Sequence, residues 1–172
     1  AMTVVLPTGE IVKLGATVSK TSSGYSLLNL MIGSEGTLGI ITELTLKVIP
    51  APKSVISLII PYENLEDCIA TVPKFFMEHL QPQAIEFMEK EIVLASERYL
   101  GKSVFPQKLE GVDIGAYLLV TFDGDDMESL EEITEKAAEV VLEAGAIDVL
   151  VADTPAKKKD AWAARSSFLE AI

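Results

Sequence analysis

An α+β fold in two parts is what this 172-residue sequence predicts, on three observations. Apolar runs of strand length alternate with longer segments whose apolar residues recur every three to four positions. The run Pro50-Ala51-Pro52 interrupts that pattern, because neither proline can donate to a strand ladder, and divides the chain into 1–52 and 53–172. Hydrophobic residues make up 49% and charged residues 23%, enough to build a core rather than a disordered tail.

Taken in order, Val4-Val5-Leu6 and Ile11-Val12-Lys13-Leu14 flank Pro7-Thr8-Gly9-Glu10, which predicts a hairpin. Gly15 to Ser23, rich in small and hydroxyl residues, is a loop. Ser26 to Met31 is a short helix with Ser26 as its N-cap. Ile40 to Ile49 alternates in the manner of a half-buried strand. After the prolines, Ser54 to Pro61 is a strand built on Val55, Ile56, Leu58, Ile59 and Ile60. A helix over 64–79 follows, with a core stripe of Leu65, Ile69, Val72, Phe76 and Leu80, and Pro73 predicts a kink or break inside it.

Gln83 to Met88 is the next strand, Glu89 to Leu100 a helix, and Gly101 to Gly111 a loop or lid. Gly115 to Phe122 is a third strand. Asp125 with Glu128 three residues later predicts the capped start of a helix to Ala144, with a stripe of Leu130, Ile133, Ala137, Val140, Val141 and Ala144 and a stop at Gly145. Ile147 to Val151 is a fourth strand, and Thr154-Pro155 opens a last helix. From Ser54 the order is β-α-β-(α)-β-α-β. That is the split βαβ, ferredoxin-like arrangement: an antiparallel sheet with helices on one face.

Charge narrows the partners. Fourteen basic against 26 acidic side chains give a net charge of −12, which repels nucleic acid and anionic membrane surfaces. No apolar run reaches the length of a spanning helix, and the first residues lack the basic start of a signal peptide. Cys68 is alone, so neither an internal disulfide nor a cysteine metal cluster can form, which fits a reducing, cytoplasmic setting. His79 is the single histidine and cannot build a triad or a histidine metal site. Asp123-Gly124-Asp125-Asp126 lacks the glycine and the closing Glu of a calcium loop. No metal site and no catalytic residue is assigned. Lys157-Lys158-Lys159 is a solvated face near a helix start, and Met31, Met77, Met88 and Met127 fill core or interface gaps.

Gly33, Gly36 and Gly39 recur every third residue between an apolar run and a β-branched run. Glycine permits positive φ and lets another surface approach the main chain. With Ser34 and Thr37 between them, a row of amides and hydroxyls can face an anionic or polar ligand. A tight turn between a short helix and a strand uses the same residues.

The segment Gly33-Ser34-Glu35-Gly36-Thr37-Leu38-Gly39-Ile40-Ile41-Thr42-Glu43 resembles the flavin-binding stretch of FAD-linked oxidases, in the branch of glycolate oxidase FAD subunits and D-2-hydroxyacid or D-lactate dehydrogenases. Upstream, Lys20-Thr21-Ser22-Ser23-Gly24-Tyr25-Ser26-Leu27 is similar to that family's Lys-x-x-Thr-Gly-Tyr-Asp-Leu element, with Ser26 in the place of the Asp. The resemblance implies that 1–52 is the C-terminal piece of a FAD-binding domain and 53–172 the first part of a ferredoxin-like substrate or cap domain. The chain is then an internal fragment whose partners include the missing parts of the same polypeptide.

The resemblance also implies FAD contacts from Ser23, Gly24, Glu35, Gly36, Thr37, Leu38, Gly39, Ile40 and Ile41. Trp162-Ala163-Ala164-Arg165 is similar to the family's Trp-x-x-Arg element, whose arginine faces the substrate carboxylate, and a guanidinium is the planar fork such a group needs. Arg165 is thereby expected to bind a small 2-hydroxy acid. Leu169 stands where the family places a further polar contact. The expected activity of the whole protein is oxidation of a D-2-hydroxy acid with FAD, its base and metal ligands lying outside this chain. The isolated piece is expected to hold FAD poorly and not to turn over. Two alternatives stay open: a ferredoxin-like interaction or dimerisation domain without redox activity, and a flavin oxidase of another branch such as an alkyl-ether lipid synthase. A homo-oligomer is compatible with each.

Overall fold

The computed structural model describes residues 1–18, 20, 22, 24–152 and 154–172, and it divides into the units Ala1–Pro50 and Ala51–Ile172. In the first, β1 (Met2–Val5) and β2 (Ile11–Leu14) form the antiparallel hairpin that the β-rich runs predict. Gly9, at φ 85°, lets the turn close, with the Leu6 and Gly9 amides donating to the Glu10 and Leu6 carbonyls at 2.8 Å. The Ser26 hydroxyl accepts the Asn29 amide and starts the short helix α1 (Leu27–Met31).

β1 pairs on its other edge with β3 (Ile40–Leu44), with a register shift between Thr3 and Val4. The small core holds Met2, Val4 and Met31, with Leu28 and Val12 packed against it. Where the alternation over 40–49 predicts a half-buried strand, β3 stops at Leu44 and all five of its residues are exposed, Ile40 at 61% and Leu44 at 57%. The core of this unit is centred on β1, and β3 lies at its margin.

In the second unit β4 (Ser54–Tyr62) leads through Asn64, whose side chain caps by accepting the Asp67 amide, into α2 (Leu65–Met77). Pro73 neither breaks nor ends this helix. It lies on the exposed face, and the carbonyl that loses its donor belongs to the half-exposed Ile69, where water can replace the missing bond. β5 (Ala84–Glu89) and α3 (Lys90–Leu100) come next, and Gly101 ends α3 in the left-handed region at φ 65°. The stretch read as a loop or lid contains half of a small hairpin, β6 (Lys108–Leu109) and β7 (Val112–Asp113), around Glu110 and Gly111.

β8 (Ala116–Gly124) then precedes α4 (Met127–Glu143). The cap of α4 is Asp126, which accepts the Ser129 amide at 2.9 Å, and not Asp125, whose Oδ1 accepts the Lys53 amide at 3.4 Å. β9 (Leu150–Ala152), α5 (Pro155–Ser166) and α6 (Phe168–Ala171) complete the chain, with the Thr154 hydroxyl accepting the Lys157 amide at the start of α5.

Among the described residues the large sheet has the order β5-β8-β4-β9, every pair antiparallel. Two strands separated by a helix are thus split by a third, as the split βαβ pattern predicts. Ile56, Leu58, Ile60 and Tyr62 lie opposite Phe122, Val120, Leu118 and Ala116 and face α2 and α4, where Cys68, Phe75, Leu130, Ala137 and Val141 close one core. Each buried Ile, Leu, Val or Phe among them stabilises by roughly 1.5–3 kcal/mol relative to exposure.

The expectation of helices on one face describes α2 and α4 only. Ile59, Tyr117 and Leu119 point the other way and are buried beneath α3 and α5, with Val93, Phe105, Ala161 and Ala164. The sheet is covered on both faces because β4 and β8 carry apolar residues on both of their faces rather than in strict alternation.

Candidate functional site

The residues that the sequence singles out as candidate contacts fall into two groups, one in each unit. The first is the bend after α1. Ile32 leaves the helix in extended backbone, and Gly33, Glu35 and Gly36 then adopt positive φ of 79°, 48° and 80°. The Thr37 amide and hydroxyl both turn inward to the Ser34 carbonyl, at 2.9 and 2.6 Å, so neither is offered outward. Among the described residues, the amides of Glu35 and Gly36 donate to no backbone acceptor.

The three glycines have different tasks. A Cβ on Gly33 would meet nothing within 4 Å, and one on Gly36 only the tip of Ile40. A Cβ on Gly39 would lie 2.7 Å from Val4 Cγ1 and 2.9 Å from the Val5 carbonyl oxygen. Gly39 therefore serves the approach of the chain to β1, while Gly33 and Gly36 leave room above the bend.

That room is a concave surface of about 560 Å³, and Glu35, Gly36, Gly39, Ile40 and Ile41 line it. Thr37, Leu38 and Gly24 do not, and Ser23 lies outside the described residues. Met31, Ile32 and Leu44 complete an apolar wall that the sequence reading passed over. The apolar spacing of Leu28, Met31 and Ile32 just before the first glycine is the signal that could have found them.

The second group is in the Ala51–Ile172 unit. Arg165 stands in the last turn of α5, where Ser96 of α3 donates its hydroxyl to the Ala164 carbonyl at 2.5 Å and lies 2.7 Å from the Ser167 hydroxyl. Trp162 packs into the core beneath. The Arg165 Nε and Nη2 both reach Glu86 Oε2 on β5 at 2.9 Å, and its Cζ lies 5.6 Å from the centre of the Phe168 ring. Leu169 is largely exposed.

Other titratable groups have structural roles. Burial pushes the Cys68 thiol up to about 12 and raises the Tyr62 and Tyr117 phenols well above their ordinary value. None of the three is poised as a nucleophile or base near neutral pH. His79 sits at the end of α2 in left-handed backbone, φ 60°. Among the described residues no three His, Cys, Asp or Glu side chains are placed to hold a metal ion, and no helix is long and apolar enough to cross a membrane.

Residues 51–172 match the family described as FAD linked oxidases, C-terminal domain. The chain belongs to the FAD-linked oxidases. Over all 172 residues it is 83% identical to a D-lactate dehydrogenase of Anaerostipes hadrus, of which it covers 36%. It is 40% identical over 156 residues, 91% of this chain and 32% of the relative, to a D-lactate dehydrogenase of Archaeoglobus fulgidus. With the glycolate oxidase subunit GlcD of Bacillus subtilis the identity is 33% over 98% of this chain and 34% of the relative. The chain thus spans about a third of the length of the curated relatives it matches.

Among solved structures, p-cresol methylhydroxylase shares the fold, with a TM-score of 0.67 at 15% identity over 95% of this chain and 36% of that one. An alkyldihydroxyacetonephosphate synthase does so with a TM-score of 0.61 at 20% identity, over 98% of this chain and 33% of that one.

Proposed function

We propose that this chain is part of a FAD-dependent enzyme that oxidises a D-2-hydroxy acid of the D-lactate or glycolate type, with 1–52 the end of its flavin-binding domain and 53–172 the first part of its substrate domain. The observation that carries the reading is the 83% identity to a D-lactate dehydrogenase across the whole chain.

The bend fits the cofactor. Its wall of Met31, Ile32, Ile40, Ile41 and Leu44 suits a flat apolar ring system, and the Glu35 and Gly36 amides are available to polar ring or ribityl atoms. The Glu35 carboxylate would repel a phosphate, so this bend takes the flavin part of FAD rather than its pyrophosphate. FAD, when bound, supplies the two-electron acceptor for the hydrogen at C2 of the acid. Arg165 holds the substrate carboxylate and so orients that carbon. The single, buried thiol of Cys68 supports a reducing, cytoplasmic setting for the protein.

The test uses the full polypeptide that contains this chain, purified with its flavin. Anaerobic addition of D-lactate or glycolate is expected to bleach the flavin absorbance, and L-lactate to do so far more slowly. Arg165→Ala is expected to raise KM for the acid by roughly a hundredfold, the loss of a charge-assisted fork. A full protein whose flavin no 2-hydroxy acid reduces would sink the reading. The chain of residues 1–172 alone is expected to retain little FAD after gel filtration.

A further inference from the structure

Arg165 is held in a particular way. Both of its bonds to Glu86 end on one oxygen, Oε2, and use Nε and Nη2, the side edge of the guanidinium. That geometry leaves Nη1 and the outer hydrogen of Nη2, the end fork, which donate to none of the described residues. A guanidinium has five N–H donors in a fixed plane, so engaging one edge fixes the direction in which the other points.

Three further contacts make the pair a mount rather than a chance surface ion pair. Glu86 lies on β5 opposite Leu119 and shares its sheet face with the buried Met88, so the ladder to β8 fixes its place in the sheet. Phe168 lies against the guanidinium at cation–π distance. The Ser96 hydroxyl pins the last turn of α5 through the Ala164 carbonyl. The two side chains are 38% and 31% exposed, partly withdrawn from water yet open enough to receive a ligand.

We infer that Glu86 is a positioning residue for carboxylate recognition: it engages the side edge of Arg165 and so presents the end fork to the carboxylate of the substrate. The inference rests on the proposed role of Arg165 and adds a residue that neither the Trp-x-x-Arg pattern nor the spacing of the sequence names. Its chemistry has a distinguishing mark. Removing the Glu86 charge lessens repulsion of an anionic substrate, whereas removing the acceptor frees the guanidinium to swing. A positioning role therefore makes the acceptor matter more than the charge.

The experiment measures kcat and KM for the 2-hydroxy acid, with inhibition by its 2-oxo acid product, in the full flavin-loaded protein. Glu86→Ala is expected to raise KM and the inhibition constant at least about tenfold with kcat changed by less than about threefold, the mark of lost binding shared by ground and transition states. Glu86→Gln keeps an oxygen for Nε and is expected to restore KM to within about threefold of the parent. Glu89→Gln, an exposed carboxylate of the same strand, is expected to leave both constants unchanged.

A Glu86→Ala protein whose KM stays within about twofold of the parent or falls below it, while Arg165→Ala raises KM, overturns the inference and leaves the arginine clamp standing. An Arg165→Ala protein with unchanged KM overturns the clamp and this inference together. Should the alanine variant melt below the assay temperature, Glu86→Ser removes the same acceptor and is judged by the same limits.

Discussion

The Glu97 carboxylate holds the backbone of Phe105: its Oε1 accepts the Phe105 amide at 2.7 Å and the neighbouring Val104 amide at 2.6 Å, in a site where Glu97 is almost fully buried. One acidic side chain on α3 thereby ties down the stretch after it, and Tyr117 assists by donating its hydroxyl to the Pro106 carbonyl at 2.7 Å. The stretch is anchored at its centre and is not a freely moving flap.

Glu97→Ala should leave the buried Phe105 amide and the half-buried Val104 amide without an acceptor and cost roughly 2–4 kcal/mol of stability. Amide hydrogen exchange at Val104 and Phe105 should accelerate strongly while exchange in β4 and β8 changes only with global stability. Glu97→Gln, which keeps an acceptor, should lose about half as much. Exchange at Phe105 that tracks global unfolding equally in parent and variant would argue against the anchor.

Ser57 and Thr121 face each other across β4 and β8, their hydroxyls 2.9 Å apart and both buried. Thr121→Val should cost about 1–3 kcal/mol in urea denaturation, because Ser57 is left unpaired in an apolar layer. Adding Ser57→Ala should recover part of that loss, a coupling that a double-mutant cycle reads directly.

Gly115 lies where a Cβ would stand 2.3 Å from the Glu63 carbonyl oxygen, and its amide donates to the Tyr62 carbonyl at 2.9 Å. Gly115→Ala should therefore force β8 away from β4 and destabilise by about 1–3 kcal/mol or more. Gly33→Ala meets open space, and its cost should be confined to the positive φ, about 1 kcal/mol. Thermal melting of the two variants ranks them.

The alkaline limb of stability follows from burial. The unfolded chain gives up the Cys68 proton near 9.0, while the folded unit keeps it to about 12. Between those values the folded state binds more protons, so stability falls as pH rises, by about 1.4 kcal/mol per pH unit for each such group. Tyr62 and Tyr117 add to the slope from about pH 10 upward. Below 9 these groups contribute no pH dependence, and at pH 8 a disulfide reagent should label Cys68 only after denaturation. In acid the sign reverses: the Ser129 hydroxyl and amide hold the Asp126 carboxyl below its ordinary value, and that contribution is lost as pH falls through it.

How far these features could be read from the residues depends on their range. Local grammar was legible: Ser26 and Thr154 cap the helices the sequence assigns them, and Gly101 and Gly145 take positive φ after helices. In α2 the period was right and the phase was right in part, since Leu65, Val72 and Leu80 pack on the core as the stripe predicts. Cys68, Thr71 and Phe75 face the core while Ile69 and Phe76 are exposed, because the strand beneath, not local composition, selects the face. The second helical layer was written in Val55 to Ile60, where apolar residues fall on both faces of the strand with Ser57 the one interruption, although alternation is the more familiar cue.

The motifs placed Arg165 and the bend at Glu35 and Gly36 in the sequence. Glu86 and Glu97 were invisible there, since no local pattern marks their partners, Arg165 across 79 positions and the amides seven and eight positions on in the stretch after α3.

The pairing of β4 with β8 has a further bearing on how the chain is made. Ser54 lies opposite Gly124, so β4, the earlier of this pair, waits while about sixty more residues are added, several seconds at ordinary rates of synthesis. Throughout that interval the apolar residues of Val55 to Ile60 lack their strand partner, and α2 can cover only one of their two faces. It is the segment that a nascent-chain chaperone would have to shield, and the one whose exposure governs whether translation ends in a soluble product or an aggregate.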